Sequence, residues 1–308
     1  MENRSYKAWL YLLPAILFLG AFLVYPLIYV FIYSFEEGYN SASQTYFGIG
    51  SYNYSYVLHD PYFLQAVKNT FILVLFTVPV ATGLALLISV GLNSIQKLRQ
   101  LYQTVFFLPY VTNSIAIGMV FAAMFNIVGN ISSGNEITSS MGIVNDILGF
   151  FGIDYVNWMS AGSEYWANIA VMVIYIVWNA LPFKILILLG GLQSVNKQYY
   201  DAARVDSAPR WRVLTRITIP LLSPMLAYVI ITGFIGGFKE YSSIVGIFGE
   251  GMGPADDAGR LNTMVGFIYD SLKTNSQGRA SAAALILFGI ILAVTLFNNK
   301  VIKKHTHY

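Results

Sequence analysis

The 308 residues include no cysteine at all, which excludes disulfides, zinc–thiolate centres and thiol nucleophiles. Histidine is almost as scarce. His59, His305 and His307 are the only three, and two of them sit at the C-terminal end, so a metal site is hard to assemble and none is expected. Charge is also thin: Asp, Glu, Lys and Arg make up 11% of the chain, against roughly a quarter in a soluble globular domain. The formal net charge of +3 is too small to suggest a nucleic-acid partner. No G-x-x-x-x-G-K-[ST] loop occurs, so nothing in this chain is built to cradle ATP phosphates.

What the chain has is grease. Hydrophobic residues account for 56% of it, and the mean hydropathy is +0.60. A helix needs about 20 apolar residues to cross a bilayer core. Six stretches qualify, at approximately 8–35, 66–92, 103–127, 166–192, 221–247 and 280–302. The first begins behind Arg4 and Lys7 like a signal peptide. It is too long for one, contains Pro14 and Pro26 and lacks a clear small-residue cleavage site, so a retained helix is expected. The fold class expected is all-α: a polytopic membrane protein whose residues 1–308 form one transmembrane domain of six helices.

Positive charge sets the orientation. Arg4 and Lys7 precede the first span, and Lys97 and Arg99 follow the second. Lys197, Arg204, Arg210, Arg212 and Arg216 follow the fourth, and Lys300, Lys303 and Lys304 follow the sixth. Twelve of the eighteen Lys and Arg thus lie on one side, and segments 36–65 and 128–165 contain none. Both termini are expected in the cytoplasm. Arg260, Lys273 and Arg279 are exceptions on the outer side. The outer segments are rich in Gly, Ser, Asn and Tyr, as solvated loops or a docking face for a soluble partner would be. The N-x-[ST] matches at Asn53 and Asn130 carry no weight, because such triplets arise often by chance.

Residues 193–220 stand out as polar and cationic between two apolar spans. "VNKQYYDAARV" suits a short helix, and "DSAP" breaks it. Asp206 or Ser207 can cap a second helix, with Pro209 near its first turn. Read physically, Arg210, Arg212, Arg216 and Trp211 could anchor an interfacial helix to lipid headgroups. A docking knob for another chain is the other reading.

The pattern "DAARVDSAPRWRVLTRITIPLL" resembles the EAA loop of permease subunits in binding-protein-dependent ABC importers. Asp201, Ala202, Ala203, Asp206, Ala208, Ile217, Ile219 and Pro220 occupy the family's positions, with Arg204 and Ser207 between them. Two residues depart from it: Asp201 stands for the family's Glu, and Ser207 for its Gly, which matters if the turn needs positive φ. "YLLPAILFLGAFLVYPLIYVFIYSF", "DPYFLQAVKNTFIL" and "GRASAAALILFGIILAVTLF" are similar to other parts of sugar permeases of this superfamily. The resemblance implies the type I ABC importer permease fold in a bacterial cytoplasmic membrane. It further implies that loop 193–220 is a coupling helix seated in an ATP-hydrolysing subunit. ATP and Mg would be held by two partner ATPases, with a second homologous permease beside this chain and an extracytoplasmic sugar-binding protein above.

Ionisable groups inside a bilayer are candidate functional residues by default. Lys184 lies in the fourth span; Lys239 and Glu240 lie in the fifth. Helical spacing puts Gly233, Gly237 and Glu240 on one face, and Ile176, Ala180 and Lys184 on another. The glycines leave room for a ligand or for close helix packing, and Lys239 could simply snorkel to the interface. Aligned through the loop, the chain is similar to the larger membrane subunit of the maltose-type importer family. That similarity implies sugar contacts at Tyr110 and Ser114 of "LPYVTNS", at Ile176, Asn179 and Ala180, and at Gly233, Gly237 and Glu240. Gly237 and Glu240 stand at asparagine positions and Gly233 at a serine position, so the resemblance implies that the site's location carries over while maltose does not.

The resulting expectation is a non-enzymatic permease subunit of an ATP-driven carbohydrate importer, with an oligosaccharide as cargo. An ion-coupled secondary transporter, with Lys184 and Glu240 as its relay, and an ABC permease for a non-sugar solute stand as alternatives.

Overall fold

A computed structural model describes residues 5–95, 99–126, 128–133, 136–140 and 142–305. Arg4, Lys97, His307 and Ile127, the last residue of the expected third span, lie outside the described residues. In chain order come α1 (Ser5–Leu19), a π-helical stretch (Gly20–Val24), α2 (Tyr25–Phe35), the strands β1 (Glu36–Glu37) and β2 (Gly48–Ile49), α3 (Tyr52–His59) and α4 (Pro61–Ser94). Next are α5 (Arg99–Val111), α6 (Ser114–Phe125), β3 (Val128–Ser133), β4 (Glu136–Ser140), α7 (Ile143–Phe150) and α8 (Tyr165–Ser194). The chain continues with α9 (Lys197–Val205), α10 (Arg210–Val213), a second π-helical stretch (Leu214–Thr218), α11 (Ile219–Leu221), α12 (Ser223–Phe238), α13 (Ser242–Phe248), α14 (Met264–Lys273) and α15 (Gln277–His305). Helices dominate, and the strands form only two antiparallel pairs among the described residues, β1 with β2 and β3 with β4.

Among the described residues, four helices are long and apolar enough to cross a membrane: Trp9–Phe35, Pro61–Ser94, Tyr165–Ser194 and Gln277–Lys300. Two bent pairs raise the number to as many as six. One pair is Leu101–Val111 with Ser114–Phe125, at 97°; the other is Arg210–Leu221 with Ser223–Phe238, at 72°. The segment 103–127, which reads as one span, is therefore broken. Pro109 sits close to the end of α5, and the Asn113 side chain caps α6, accepting from the Ile115 and Ala116 N–H groups at 2.9 and 3.3 Å. An asparagine that satisfies the free donors of a new helix start makes a break cheap even in apolar surroundings. The segment 221–247 is interrupted as well, because α12 ends at Phe238 and α13 begins at Ser242.

Contacts divide the chain into two units, residues 1–64 with 264–289, and residues 65–263 with 290–308. In the first unit, the π-helical stretch precedes Pro26. Proline has no N–H to offer the Phe22 carbonyl four residues back, and the Tyr25 N–H just before it reaches the Gly20 carbonyl five residues back, the wider π-helical turn. The apolar side chains Trp9, Phe18, Phe22 and Phe31 along this run stand exposed, as expected of a helix that hydrocarbon surrounds. Asn53 is fully buried and fastens the turn after α2. Its Nδ2 donates to the Ser34 and Glu36 carbonyls at 3.1 and 2.8 Å, and its Oδ1 accepts from Gly38 N–H at 3.1 Å. That N-x-[ST] match is a structural asparagine.

In the second unit, α8 is the central column. Tyr175, Met172 and Val171 on it are fully buried against Phe125 of α6, Ile244 and Ile247 of α13, and Leu73 of α4. A second apolar cluster joins Ala85 and Leu92 of α4, Ile185, Leu188 and Leu189 of α8, and Val229 of α12.

Candidate functional site

Helices α4, α8 and α12, together with Tyr110 near the end of α5, line a partly open cavity of about 290 Å³. Thr77, Val78 and Ala81 come from α4. Ile176, Asn179, Ala180, Phe183 and Lys184 come from α8, spaced so that successive turns present them to one side. Val229, Thr232, Gly233, Gly236 and Gly237 come from α12, with Glu240 just past its end. The glycines give this wall its shape. A Cβ at Gly237 would stand 3.0 Å from a methyl of Val74, and one at Gly233 would stand 2.8 Å from Lys184 Nζ.

The lining is mixed. Tyr110 stacks on Phe183, with ring centroids 5.6 Å apart and planes 19° apart, and Tyr110 remains half exposed. Asn179 donates to Ser114 Oγ at 3.3 Å. Ser114 in turn pairs with the Tyr175 hydroxyl at 3.0 Å, and that hydroxyl also donates to the Ser114 carbonyl. Lys184 is buried, and its ammonium donates to Thr82 Oγ1 at 3.0 Å and to the Val229 carbonyl at 3.3 Å, tying α8 to α4 and α12. Glu240 Oε1 accepts from the Tyr241 and Ser243 N–H groups at 3.2 and 3.1 Å, at the start of α13. Among the described residues no group of three or more His, Asp and Glu is placed to hold a metal ion.

Of the residues expected in the substrate pathway, Tyr110, Ile176, Asn179, Ala180, Lys184, Gly233, Gly237 and Glu240 line this one cavity. Ser114 lies behind the wall and holds Asn179. Lys239 is not in the lining: it is exposed where α12 stops, because the helix ends at Phe238 and frees the next side chain to point outward. Sequence reading missed the α4 wall, Phe183 and Thr82. The hydroxyls of Thr77 and Thr82 inside an apolar span were the available signal.

The loop at 193–220 has its own local logic. Asn196 caps α9, accepting from Gln198 N–H at 3.0 Å. At the other end, Ser207 N–H donates to the Arg204 carbonyl and Ala208 N–H to the Ala203 carbonyl, with Ser207 at φ +49°. That is a Schellman termination, in which the residue after the cap adopts the left-handed conformation. Asp201 and Arg204 form an exposed pair at 3.3 Å, Ala202 is exposed, and Ala203 is buried. Tyr200 reaches Thr218 Oγ1 at 3.4 Å, bracing α9 against the chain that leads to α12. The expectation that Asp206 or Ser207 caps the second helix is corrected. Pro209 holds the N-cap of α10 with no side-chain hydrogen bond, because α10 begins only at Arg210 and leaves Asp206 and Ser207 upstream in the turn that closes α9.

The profile of one protein family, the binding-protein-dependent transport system inner membrane component, matches residues 78–306. The chain belongs to this family. It is thus a multi-pass membrane permease, as the loop resemblance implied. It is 30% identical over 301 residues to the arabinooligosaccharides transport system permease protein AraP of Bacillus subtilis, covering 97% of this chain and 89% of that one. It is 29% identical over 295 residues to the lactose transport system permease protein LacF of Rhizobium radiobacter, covering 95% and 91%. In fold it is similar to a chain of a bacterial alginate ABC transporter solved with an alginate pentasaccharide-bound periplasmic protein. The TM-score is 0.78 at 21% identity, over 99% of this chain and 96% of that one.

Proposed function

We propose that this permease imports a carbohydrate, and that the cavity between α4, α8 and α12 is where the sugar is held in transit. The observation that carries the reading is the pairing of an aromatic surface with hydrogen-bonding groups inside apolar helices. Tyr110 on Phe183 offers a flat apolar face, and Asn179, Thr77, Thr232 and Glu240 offer donors and acceptors. A sugar is itself amphipathic, with C–H faces and hydroxyl edges, and such pockets fix orientation with few polar groups. The arabinooligosaccharide and lactose permeases among its relatives support the same cargo class.

The coupling residues in this reading are Asp201, Ala202, Ala203, Arg204, Asp206, Ser207 and Ala208. A rigid, mostly exposed α9 closed by a Schellman turn suits insertion into a cleft of an ATPase subunit. ATP and Mg would be bound there and not in this chain. A second permease would complete the pathway, and a substrate-binding protein would deliver cargo from outside. Both termini would face the cytoplasm of a bacterial cell. A binding-protein-dependent family leaves little room for the ion-coupled alternative.

The deciding experiment is substrate-stimulated ATP hydrolysis by the co-expressed complex, wild type against Asp201→Lys. The charge reversal is expected to abolish stimulation while leaving the helices assembled. Normal stimulation in Asp201→Lys would remove the loop from the coupling path. Stimulation by no saccharide at all, with the wild type intact, would remove the sugar.

A further inference from the structure

We propose that the buried ammonium of Lys184 is an anion-recognition point, which selects saccharides bearing a carboxylate. The inference rests on reading the cavity as the sugar site. Lys184 is only 5% exposed, yet it forms part of the cavity wall. Its two protein acceptors, Thr82 Oγ1 and the Val229 carbonyl, are both neutral. An ammonium has three N–H donors, so one is uncommitted among the described residues. No carboxylate among them forms an ion pair with it either. An unpaired cation held in low dielectric is costly, and evolution of such a position is intelligible if the bound ligand supplies the counter-charge.

A second observation points the same way. Gly233 faces the ammonium across the gap between α12 and α8, where a Cβ would approach Nζ to 2.8 Å. Any larger residue forces the lysine to shift, so the glycine keeps the charged head where the cavity can reach it. Glu240 lines the same cavity but turns Oε1 to the backbone of α13. The cavity is therefore polarised, with a cation supplied by α8 and a carboxylate beyond the end of α12. A uronate-containing oligosaccharide fits that polarity: its carboxylate accepts from Lys184 in a charge-assisted bond, and its hydroxyls donate toward Glu240.

The test compares trigalacturonate with its fully methyl-esterified form, which has the same rings and linkage without the charge. Binding of each to the assembled importer in nanodiscs is measured by saturation-transfer NMR, without the binding protein. The wild type is expected to prefer the acid at least tenfold. In Lys184→Met that preference should vanish, and in Lys184→Arg it should survive. Gly233→Ala, which pushes the ammonium aside, is expected to weaken it as well and serves if Lys184→Met fails to assemble. Equal binding of acid and ester by the wild type overturns the anion site and leaves sugar transport standing. A preference that persists in both Lys184→Met and Gly233→Ala also overturns it. Binding of neither trisaccharide, nor of any neutral one, overturns both.

Discussion

A Cβ placed on Gly118 would lie 2.8 Å from the Cα of Gly246, so the backbones of α6 and α13 touch where the two glycines meet. No side chain can be inserted there without moving a helix. Gly118→Ala is expected to destabilise the protein by about 1–3 kcal/mol, the usual cost of overpacking. Gly190→Ala is the control, since a Cβ there meets nothing within 4 Å. Thermal unfolding of the purified complex should separate the two; equal melting temperatures would show that α6 and α13 yield freely.

Ser207 adopts φ +49° at the end of α9, a conformation that costs an ordinary L-residue roughly 1–2 kcal/mol. Ser207→Gly should therefore raise the melting temperature, and Ser207→Val should lower it. Coupled ATP hydrolysis is expected to change in the same order, because the turn sets the pose of α9. A Ser207→Val protein as stable as Ser207→Gly would mean the turn has relaxed to another conformation.

Thr82 is the hydroxyl that accepts from Lys184. Thr82→Val keeps the shape and removes the acceptor, leaving a buried ammonium with one protein partner fewer. The expected loss is about 1–3 kcal/mol. The double variant Thr82→Val with Lys184→Met should recover much of it, since no charge is then left short of partners. Failure of the double variant to recover would point to packing and not to the hydrogen bond.

Tyr110 stacks on Phe183 with one side open. Tyr110→Ala is expected to weaken sugar transport by up to about tenfold, in keeping with roughly 0.5–1.5 kcal/mol for an aromatic contact. Being half exposed, the residue contributes little to stability, so the melting temperature should hardly change. Uptake into proteoliposomes over a range of sugar concentrations checks this, and an unchanged half-saturation concentration would take Tyr110 out of the pathway.

Apolar run length and the EAA-like loop were enough to read a helical membrane permease from the sequence, because a bilayer demands long stretches of one solvent preference. Helical spacing also grouped Ile176, Ala180 and Lys184 on α8, and Gly233 with Gly237 on α12, because residues three and four apart share a face whatever surrounds the helix. Glu240 lines the same cavity from beyond the helix end, where that period no longer applies. Spacing cannot say which face meets which. Lys239 and Glu240 are neighbours in the chain, yet one is exposed and the other lines the cavity, because α12 stops between Phe238 and Ser242. The break after Val111 falls on the polar triplet Thr112–Asn113–Ser114, too short to interrupt the long apolar run by hydropathy alone, and the Asn113 cap that starts α6 there shows only in the structure.

The sequence by itself determined the solvent of this protein, its helical class and the polar loop that leaves the membrane, since each arises from local composition and short-range pattern. Only the tertiary structure decided that α4, absent from any sequence-level site, supplies a wall of the cavity. It alone showed that Thr82 and Val229 hold Lys184 there, and that Ser207 carries the left-handed turn. The first two depend on contacts between residues far apart in the chain. The last is a backbone conformation imposed where α9 has to close before Pro209. No local pattern encodes the long-range contacts, and the turn left only a trace in the sequence, since Ser207 stands where the resembled family carries Gly.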